Sequence, residues 1–318
     1  MSRSVLSLRL PVYLQTKLIQ NGYHTVADFD ESPLAEDLSH FLTQSEVRSL
    51  ASAAQAQPPA HSAWFIRQQA RTRSYFSTRL RQLDALLGGG GIPLGCLTEV
   101  VGEAGGGQTE LCLRLCLAAR LPAAQGGLGI DSVYIDTVGS FSYCGAVQAA
   151  HRLCTSQPER LTDENGPELS SSLVTSLLDG IHVFRVYAAH ELMALLYSFD
   201  QIASHIAQVG LVVVNTISWP FLASFTGNIA RRQVLHAELA HLLSQIASKH
   251  KVAIVLVSQA KSAFGRSNTP SSSSMDGDVW TRVAANRMSL QRRPDGGFKI
   301  ALTASTMHPS GEAFINDI

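Results

Sequence analysis

The sequence predicts an α/β fold, in which helices flank a mostly parallel β-sheet and a small, all-helical domain precedes it. Near-continuous apolar runs at 181–186, 210–216 and 252–258 alternate with helical patterns, which is typical of parallel strands covered on both faces. A glycine-rich stretch at 102–107 lies between a short β-branched run and another helical pattern. This strand–loop–helix context is the one in which glycine loops bind phosphate groups.

The N-terminal residues 1–55 predict the helical domain. Pro11 opens an amphipathic helix, and further helical patterns lie at 34–42 and 45–54, the last with Ser45 as its expected N-cap. Two helices joined by a glycine-containing turn have the shape of a helix-hairpin-helix. A packed four-helix module without DNA contact explains the same pattern equally well.

Residues 56–78 predict a linker, because they begin with a stretch rich in Gln, Pro, Ala and Ser. Trp64 and Phe65 form an apolar cluster within this segment. A linker has no core of its own in which to bury these rings, so both are candidate partner-binding residues. Packing of the two rings against their own domain is the alternative.

Residues 79–318 predict the α/β core domain. Besides the three apolar runs, its expected elements are a helix at 80–87, strands at 97–101 and 132–137, helices at 145–154, 189–207 and 230–250, a hairpin of 287–292 with 298–304, and a last strand at 313–318. The polar stretch at 155–172 predicts a loop inserted between elements.

Composition narrows the classes of function. Charged residues make up only 16% of the chain and hydrophobic residues 45%, so we expect part of the apolar surface to be covered by a partner. The formal net charge is zero, so any contact with DNA must be local. No apolar run approaches membrane-spanning length and no signal-peptide pattern opens the chain, which predicts a soluble, intracellular protein without membrane contact.

The five cysteines show no CxxC spacing. Cys112 and Cys116 lie four residues apart, on one face of the helix that follows the glycine loop. Burial as small hydrophobic side chains explains this spacing better than a metal site or a disulfide.

The glycine-rich stretch matches the phosphate-loop motif G-x-x-x-x-G-K-[ST] at Gly102, Gly107 and Thr109, whereas Gln108 replaces the lysine. Backbone N–H groups of such a loop still bind phosphate, and the Thr109 hydroxyl is the candidate Mg²⁺ contact if metal binds. The lysine would have supplied a cation for the phosphates, so an ordinary glycine-rich turn remains an alternative on this evidence. The candidate nucleotide-binding residues of the loop are Gly102, Glu103, Ala104, Gly105, Gly106, Gly107, Gln108, Thr109 and Glu110.

With these elements in order, the chain resembles the eukaryotic branch of the RecA recombinases, the Rad-fifty-one family, over nearly its whole length. The segments that carry the resemblance are 83–90, 97–100, 102–109, 134–141, 211–215 and 257–259. Segments 121–122, 126–127 and 217–221 are most similar to the paralogue lettered C. The resemblance implies a RecA-like ATPase core and assembly with other recombinase paralogues. It also implies a nuclear role in homologous-recombination repair and meiosis. From the same resemblance, Gln259 joins the candidate nucleotide-binding residues. Arg287 matches a family arginine next to the nucleotide site, although an ion pair at the start of a strand explains it as well.

Three positions depart from the family pattern. Gln108 stands where the family has the phosphate-contacting lysine, Val138 where it has the acid that polarises the attacking water, and Asn215 where it has the aspartate that holds the Mg²⁺ water shell. Phosphoryl transfer depends on positioning and on charge stabilisation, so we predict no useful ATPase activity. Any binding of ATP with Mg²⁺ is expected to be weak, and an inward-pointing Glu103 would weaken it further.

The resemblance also implies two loops that hold single-stranded DNA, here about 221–232 and 260–278. The candidate DNA-binding residues are Arg231, Arg232, Lys261 and Arg266, set against the acids Asp276 and Asp278. Four cations against two acids make a modest phosphate footprint, and a solvated helix start explains Arg231 and Arg232 equally well.

Three hypotheses follow. The first is a non-catalytic or weakly nucleotide-binding paralogue that assembles with other paralogues and supports the recombinase filament on single-stranded DNA. The second is an active, DNA-dependent ATPase in which a partner subunit supplies the missing catalytic groups. The third is a protein scaffold with the family fold and no DNA contact.

Overall fold

The computed structural model describes residues 4–8, 10–30, 38, 40–55, 62–123, 127–155, 167–206, 208–225, 228–260 and 279–318. The chain divides into two units, Met1–Thr72 and Arg73–Ile318. This division lies inside the predicted linker.

The first unit is helical. Its described helices are a short 3-10 turn at Val5–Ser7, α1 Val12–Gln20, α2 Ala27–Asp30, α3 Gln44–Gln55 and α4 Ala63–Arg71. Leucines and a valine from these helices and from the residues between them form its core: Val5, Leu8, Leu10, Leu14, Leu18, Leu38, Leu42 and Leu50. Most of the helical pattern predicted at 34–42 lies outside the described residues.

The N-cap of α3 is Thr43, and the prediction of Ser45 was wrong. The backbone N–H of Glu46 donates to the Thr43 hydroxyl at 3.3 Å, and the Thr43 N–H donates to the Glu46 carboxylate at 2.6 Å. This reciprocal pair is a capping box, which needs an acid three residues after the cap and so selects Thr43. The hydrogen bond from the Thr43 N–H is also the main cause of the lowered pKa of the Glu46 carboxyl, because it stabilises the charged form.

A helix occupies much of the described part of the predicted linker. Helix α4 begins after Ser62, whose hydroxyl accepts the backbone N–H of Phe65 at 3.2 Å. Trp64 is 60% exposed and Phe65 44% exposed. The apolar cluster therefore lies on a capped helix and presents both rings to solvent.

The second unit is built on an eight-stranded sheet in the order β10-β9-β8-β3-β7-β6-β4-β5. Its strands are β3 Leu97–Gly102, β4 Asp131–Asp136, β5 Ile181–Arg185, β6 Val209–Asn215, β7 Ala253–Gln259, β8 Asn286–Arg292, β9 Phe298–Ser305 and β10 Gly311–Ile315. The six strands from β8 to β5 pair in parallel, and β9 and β10 extend the sheet in antiparallel fashion. The predicted mostly parallel sheet is confirmed. A separate antiparallel pair joins β1 Tyr75–Phe76 to β2 Ile92–Pro93.

Helices cover both faces of this sheet. They are α5 Arg81–Leu86, α6 Gln108–Arg120, α7 Tyr143–Thr155, α8 Pro167–Asp179, α9 Ala189–Tyr197, α10 Phe199–His205, α11 Ser218–Ser224, α12 Ile229–His250 and α13 Val279–Val283. Alternate residues of β6 pack in hydrophobic cores on opposite faces of the sheet. Val213 lies in the core on the α6 face, whereas Val212 and Val214 lie in the core on the α12 face. This two-sided burial explains why the parallel strands are continuous apolar runs.

Two helix predictions need correction. The expected loop at 155–172 is helical from Pro167 onward, because proline suits the first turn of a helix and the apolar period continues through Val174 and Leu177, both buried. Residues 156–166 lie outside the described part. The single helix expected at 189–207 is two helices, since the Ser198 hydroxyl donates to the Leu195 carbonyl at 2.9 Å and interrupts the regular pattern.

The two cysteines on α6 are buried, as their spacing predicted. Both side chains are inaccessible to solvent, and burial raises the pKa of the Cys116 thiol to about 12. A thiol in this environment stays neutral and packs as a small hydrophobic group.

A buried ion pair joins the central strand β3 to β8. Glu99 and Arg287 are register partners, and the Arg287 Nε lies 3.0 Å from the Glu99 Oε2. The Glu99 side chain is fully buried and that of Arg287 nearly so. Removing one member of such a pair leaves a buried charge without its counterion.

We therefore predict that Arg287→Met lowers the free energy of unfolding by about 3–5 kcal/mol, measured by chemical denaturation. The double variant Glu99→Leu/Arg287→Met should recover most of this loss, because it leaves no isolated charge. Equal instability of the single and double variants would contradict the assignment.

Candidate nucleotide-binding site

The candidate site lies where the loop after β3 meets the ends of β4, β6 and β7. Parallel pairing places Gly102 opposite Gln259, Asp136 opposite Asn215, and Asn215 opposite Val257. The register thus brings residues far apart in sequence to one edge of the sheet. They surround a cleft of about 380 Å³ lined by Gly102, Ala104, Gly105, Gln108, Thr109, Val138, Ser140, Asn215, Thr216, Trp219, Val257, Ser258 and Gln259.

The loop backbone has the shape that its glycines predict. Gly105 and Gly107 adopt φ values of +78° and +95°, which residues with a Cβ rarely adopt. Gly107 is the N-cap residue of α6, and a Cβ on it would overlap the ring of Phe298 from β9. Gly107 is therefore required by its backbone conformation and by the close packing of Phe298.

Gln108 folds back into its own loop. Its Nε2 donates to the Glu103 carbonyl at 2.8 Å, and the residue is only 9% exposed. The Gly106 N–H donates to the same carbonyl at 2.9 Å. The Gln108 amide thus stabilises the loop by a hydrogen bond but brings no positive charge. Glu103 itself is exposed and is not among the residues that line the cleft.

Asn215 joins several hydroxyl groups at the end of β6. Its Nδ2 lies 2.8 Å from the Tyr134 hydroxyl, 3.1 Å from the Thr109 Oγ1 and 3.1 Å from the Ser140 Oγ. The two N–H bonds of one amide are therefore shared among three acceptors. The hydroxyl oxygen of Thr109, the candidate Mg²⁺ contact, therefore accepts a hydrogen bond from this amide.

No described acid replaces the missing base at Val138. Val138 is 43% exposed at the mouth of the cleft. The nearby carboxylate of Asp136 is fully buried and accepts the backbone N–H groups of Ser140 and Phe141, both at 3.0 Å. Asp136 therefore fixes the turn after β4 and is not oriented toward the cleft by these contacts.

Several residues at this cleft are not among the predicted site residues. The cleft-lining residues that the sequence did not indicate are Ser140, Thr216, Trp219, Val257 and Ser258. Tyr134, whose hydroxyl accepts from Asn215, was also not predicted. The available signal for Tyr134 was a hydroxyl-bearing ring between Val133 and Ile135, two buried aliphatic residues of β4. Burial strongly raises the pKa of its hydroxyl, so this group stays neutral.

A second cleft, of about 510 Å³, shares Gly105 and Thr109 with the first. Thr109, Glu110 and Arg152 contribute to its wall, together with Arg292 from the end of β8. The Arg292 guanidinium lies 5.5 Å from the centre of the Phe298 ring. Glu110, a predicted site residue, is thus placed at this second cleft, whereas most other candidates of the loop surround the first.

The residues of the first cleft do not fit a magnesium–nucleotide complex. None of its lining residues in the described part of the chain is charged, and the Thr109 hydroxyl and the Gln108 amide bind partners within the protein. Among the residues that the structure describes, no group of three or more His, Cys, Asp or Glu side chains could hold a metal ion. Arg287, which matches a family arginine in sequence, pairs with Glu99.

The candidate DNA-binding residues are only partly described. Arg231 is exposed and Arg232 partly exposed in the first turn of α12, where the Asn228 side chain caps the helix by accepting the Arg231 N–H at 3.0 Å. The guanidinium of Arg231 lies 5.6 Å from the centre of the Phe225 ring. Lys261 and Arg266 lie outside the described residues.

A glycine loop between a buried parallel strand and a helix, in a mostly parallel sheet with helices on both faces, is typical of P-loop proteins. Residues 71–315 match the family model described as Rad51. The chain belongs to the Rad51 family. It is also similar to DNA repair protein RAD51 homolog 3 of Cricetulus griseus, at 25% identity over 312 residues, which cover 91% of this chain and 83% of that protein. The sequence-based resemblance to the paralogue lettered C and the RecA-like fold are thus confirmed. No described helix has the length and apolar character needed to span a membrane.

The loop geometry predicts a difference between two glycines with similar backbone angles. Gly105→Ala adds a Cβ with no neighbour within 4 Å, whereas Gly107→Ala drives a Cβ into Phe298. We expect Gly105→Ala to cost about 1 kcal/mol for its positive φ and Gly107→Ala about 1–3 kcal/mol more for overpacking, measured by urea denaturation. Adding Phe298→Leu to Gly107→Ala should restore part of the stability. Equal costs for the two alanine variants would be inconsistent with this packing.

Proposed function

We propose that this protein is a non-catalytic or weakly nucleotide-binding recombinase paralogue that acts in homologous-recombination DNA repair in the nucleus. In this role it assembles with other paralogues and supports the recombinase filament on single-stranded DNA, including in meiosis. Membership of the Rad51 family and the similarity to a DNA repair protein support this role. The observation that carries the non-catalytic part is the cleft at Gln108, Val138 and Asn215, which has no charged lining residue in the described chain.

The electrostatics of the cleft oppose hydrolysis. In phosphoryl transfer, negative charge spreads over the transferred group, and the enzyme lowers the barrier by presenting cations and a water-orienting group. Gln108 and Asn215 offer only amide dipoles, and Val138 neither accepts a proton nor orients water. Removal of a single preorganised group of this kind typically costs about 10²–10³ in rate, so the absence of three leaves no useful activity.

Assembly with partners has two candidate surfaces. On the first unit, α4 presents Trp64 and Phe65 to solvent, and exposed aromatic residues are the type that anchors protein interfaces. On the second unit, Val138 and Trp219 expose apolar surface at the mouth of the cleft. The low charged fraction of the chain agrees with surfaces that are covered in a complex.

Contact with DNA is proposed for the start of α12 and for the loop that contains Lys261 and Arg266. The exposed Arg231 supports this proposal, because arginine in a groove or loop neutralises backbone phosphates. Since the net charge of the chain is zero, these cations act locally and no overall field attracts the strand.

We predict that the purified chain shows no Mg²⁺-dependent ATP binding by calorimetry up to about 1 mM nucleotide, the upper end of common substrate affinities. The same result is expected for its complex with a paralogue whose own ATP site has been disabled. Tight, Mg²⁺-dependent binding would refute the weak-binding proposal. Hydrolysis by that complex, abolished by Thr109→Ala, would establish the partner-supplied ATPase instead.

The DNA proposal predicts that Arg231→Ala/Arg232→Ala/Lys261→Ala/Arg266→Ala weakens binding of single-stranded DNA by the assembled complex. The dependence of log K on log salt should become shallower by about 0.7 for each phosphate that the variant no longer neutralises. The exposed cations Arg81 and Lys249, changed together to alanine, serve as the control. Unchanged affinity in the fourfold variant would favour the scaffold without DNA contact.

A further inference from the structure

We propose that Asn215 and Gln108 form a neutral latch, which holds the glycine loop in its closed shape without any ligand. Asn215 is the central positioning residue of this latch, and Gln108 fixes the loop from inside. The surface that partner subunits meet is then complete in the nucleotide-free chain. This last step rests on the proposed function; the latch itself does not.

One amide connects four parts of the core. Asn215 lies at the end of β6, Thr109 in the first turn of α6, Tyr134 in β4 and Ser140 in the turn after β4. The three contacts measure between 2.8 and 3.1 Å, and Asn215 is only 2% exposed. A network shielded from water in this way fixes relative positions, because a broken contact leaves buried polar groups unsatisfied.

A second set of hydrogen bonds lies inside the loop. The Glu103 carbonyl accepts from the Gln108 side chain at 2.8 Å and from the Gly106 backbone at 2.9 Å. The Gln108 amide is packed so closely that a Cβ on Gly102 would overlap it. Two donors on one carbonyl therefore close the loop from its own residues, where a ligand would otherwise order it.

The two amides also share an uncharged environment. Both line the same cleft, whose described lining is uncharged, and both are at least nine-tenths buried. A carboxylate at position 215 alone, or an ammonium at position 108 alone, would be a buried charge without a counterion. Charges at both positions would attract each other across the cleft. A neutral residue at one of these positions therefore favours a neutral residue at the other. A single charged residue at either position would destabilise the fold.

Hydrogen exchange tests the latch directly in the nucleotide-free chain. Amides of residues 103–109 and 138–141 should be protected equally with and without Mg²⁺-ATP. Asn215→Ala should speed exchange in both segments by about tenfold or more. Asn286→Ala is the matched control, since Asn286 is equally buried in the same sheet and its side chain bonds to Ser305; it should leave both segments unchanged. Wild-type segments that gain protection only with Mg²⁺-ATP, or no difference between the two variants, would overturn the latch.

Melting temperatures test the electrostatic coupling independently. Asn215→Asp and Gln108→Lys should each lower the melting temperature at pH 7 by about 3–6 °C, and the double variant should lower it by less than the two changes summed. The destabilisation by Asn215→Asp should shrink as the pH falls toward 4, because the buried carboxyl is then protonated. Asn286→Asp combined with Gln108→Lys is the control and should be additive. Additive effects for the cleft pair would refute the coupling.

Binding of a paralogue separates this inference from the proposed function. Wild-type chain should capture a purified paralogue equally well in EDTA without nucleotide and in Mg²⁺-ATP, and Asn215→Ala should weaken capture in both. If no paralogue binds under either condition, the proposed function is refuted. The hydrogen-exchange experiment then still tests whether the latch exists. If capture requires Mg²⁺-ATP at this chain's own site, nucleotide-independent assembly is refuted.

Discussion

The parallel register of the central strands is the constraint on which the candidate site depends. Because β3, β4, β6 and β7 run in the same direction, their last residues meet at one edge of the sheet. The glycine loop, the turn held by Asp136 and the amide of Asn215 adjoin one another for this reason alone. The ion pair between Glu99 and Arg287 then joins β8, the last parallel strand before the antiparallel extension, to the strand that carries the loop.

The fold and the chemistry of this edge depend on different features of the sequence. A RecA-type core uses buried strands and glycine geometry to form its loop, and these features need no charge. Catalysis needs charges at a few positions of the same edge, and here Gln108 and Asn215 are neutral. Their amides instead make hydrogen bonds to a loop carbonyl and to hydroxyl groups, so the contacts of these two side chains around the loop are neutral.

The sequence predicted most of the fold and only part of the site. Buried parallel strands are apolar on both faces, so their runs were visible, and the positive φ of Gly107 agrees with the glycine motif. The hydrogen bond between Asn215 and Tyr134 joins residues 81 positions apart in sequence. Hydrophobic periodicity does not indicate which strands are neighbours, so this contact could not be predicted. The helix from Pro167 was missed because its first turns are polar and its apolar residues come later. The role of Arg287 was open for a related reason, since its pairing with Glu99 depends on which strand lies beside β8.

The contact between Gly107 and Phe298 bears on how this chain can evolve. If the site is non-catalytic as proposed, catalysis no longer selects for the glycines of the motif, yet any larger residue at position 107 would collide with the aromatic ring. The glycine and the ring can therefore change only together, and selection for folding alone preserves the signature of a nucleotide loop. The glycine at position 107 is thus preserved by the packing of Phe298 on β9, whether or not the loop binds a nucleotide.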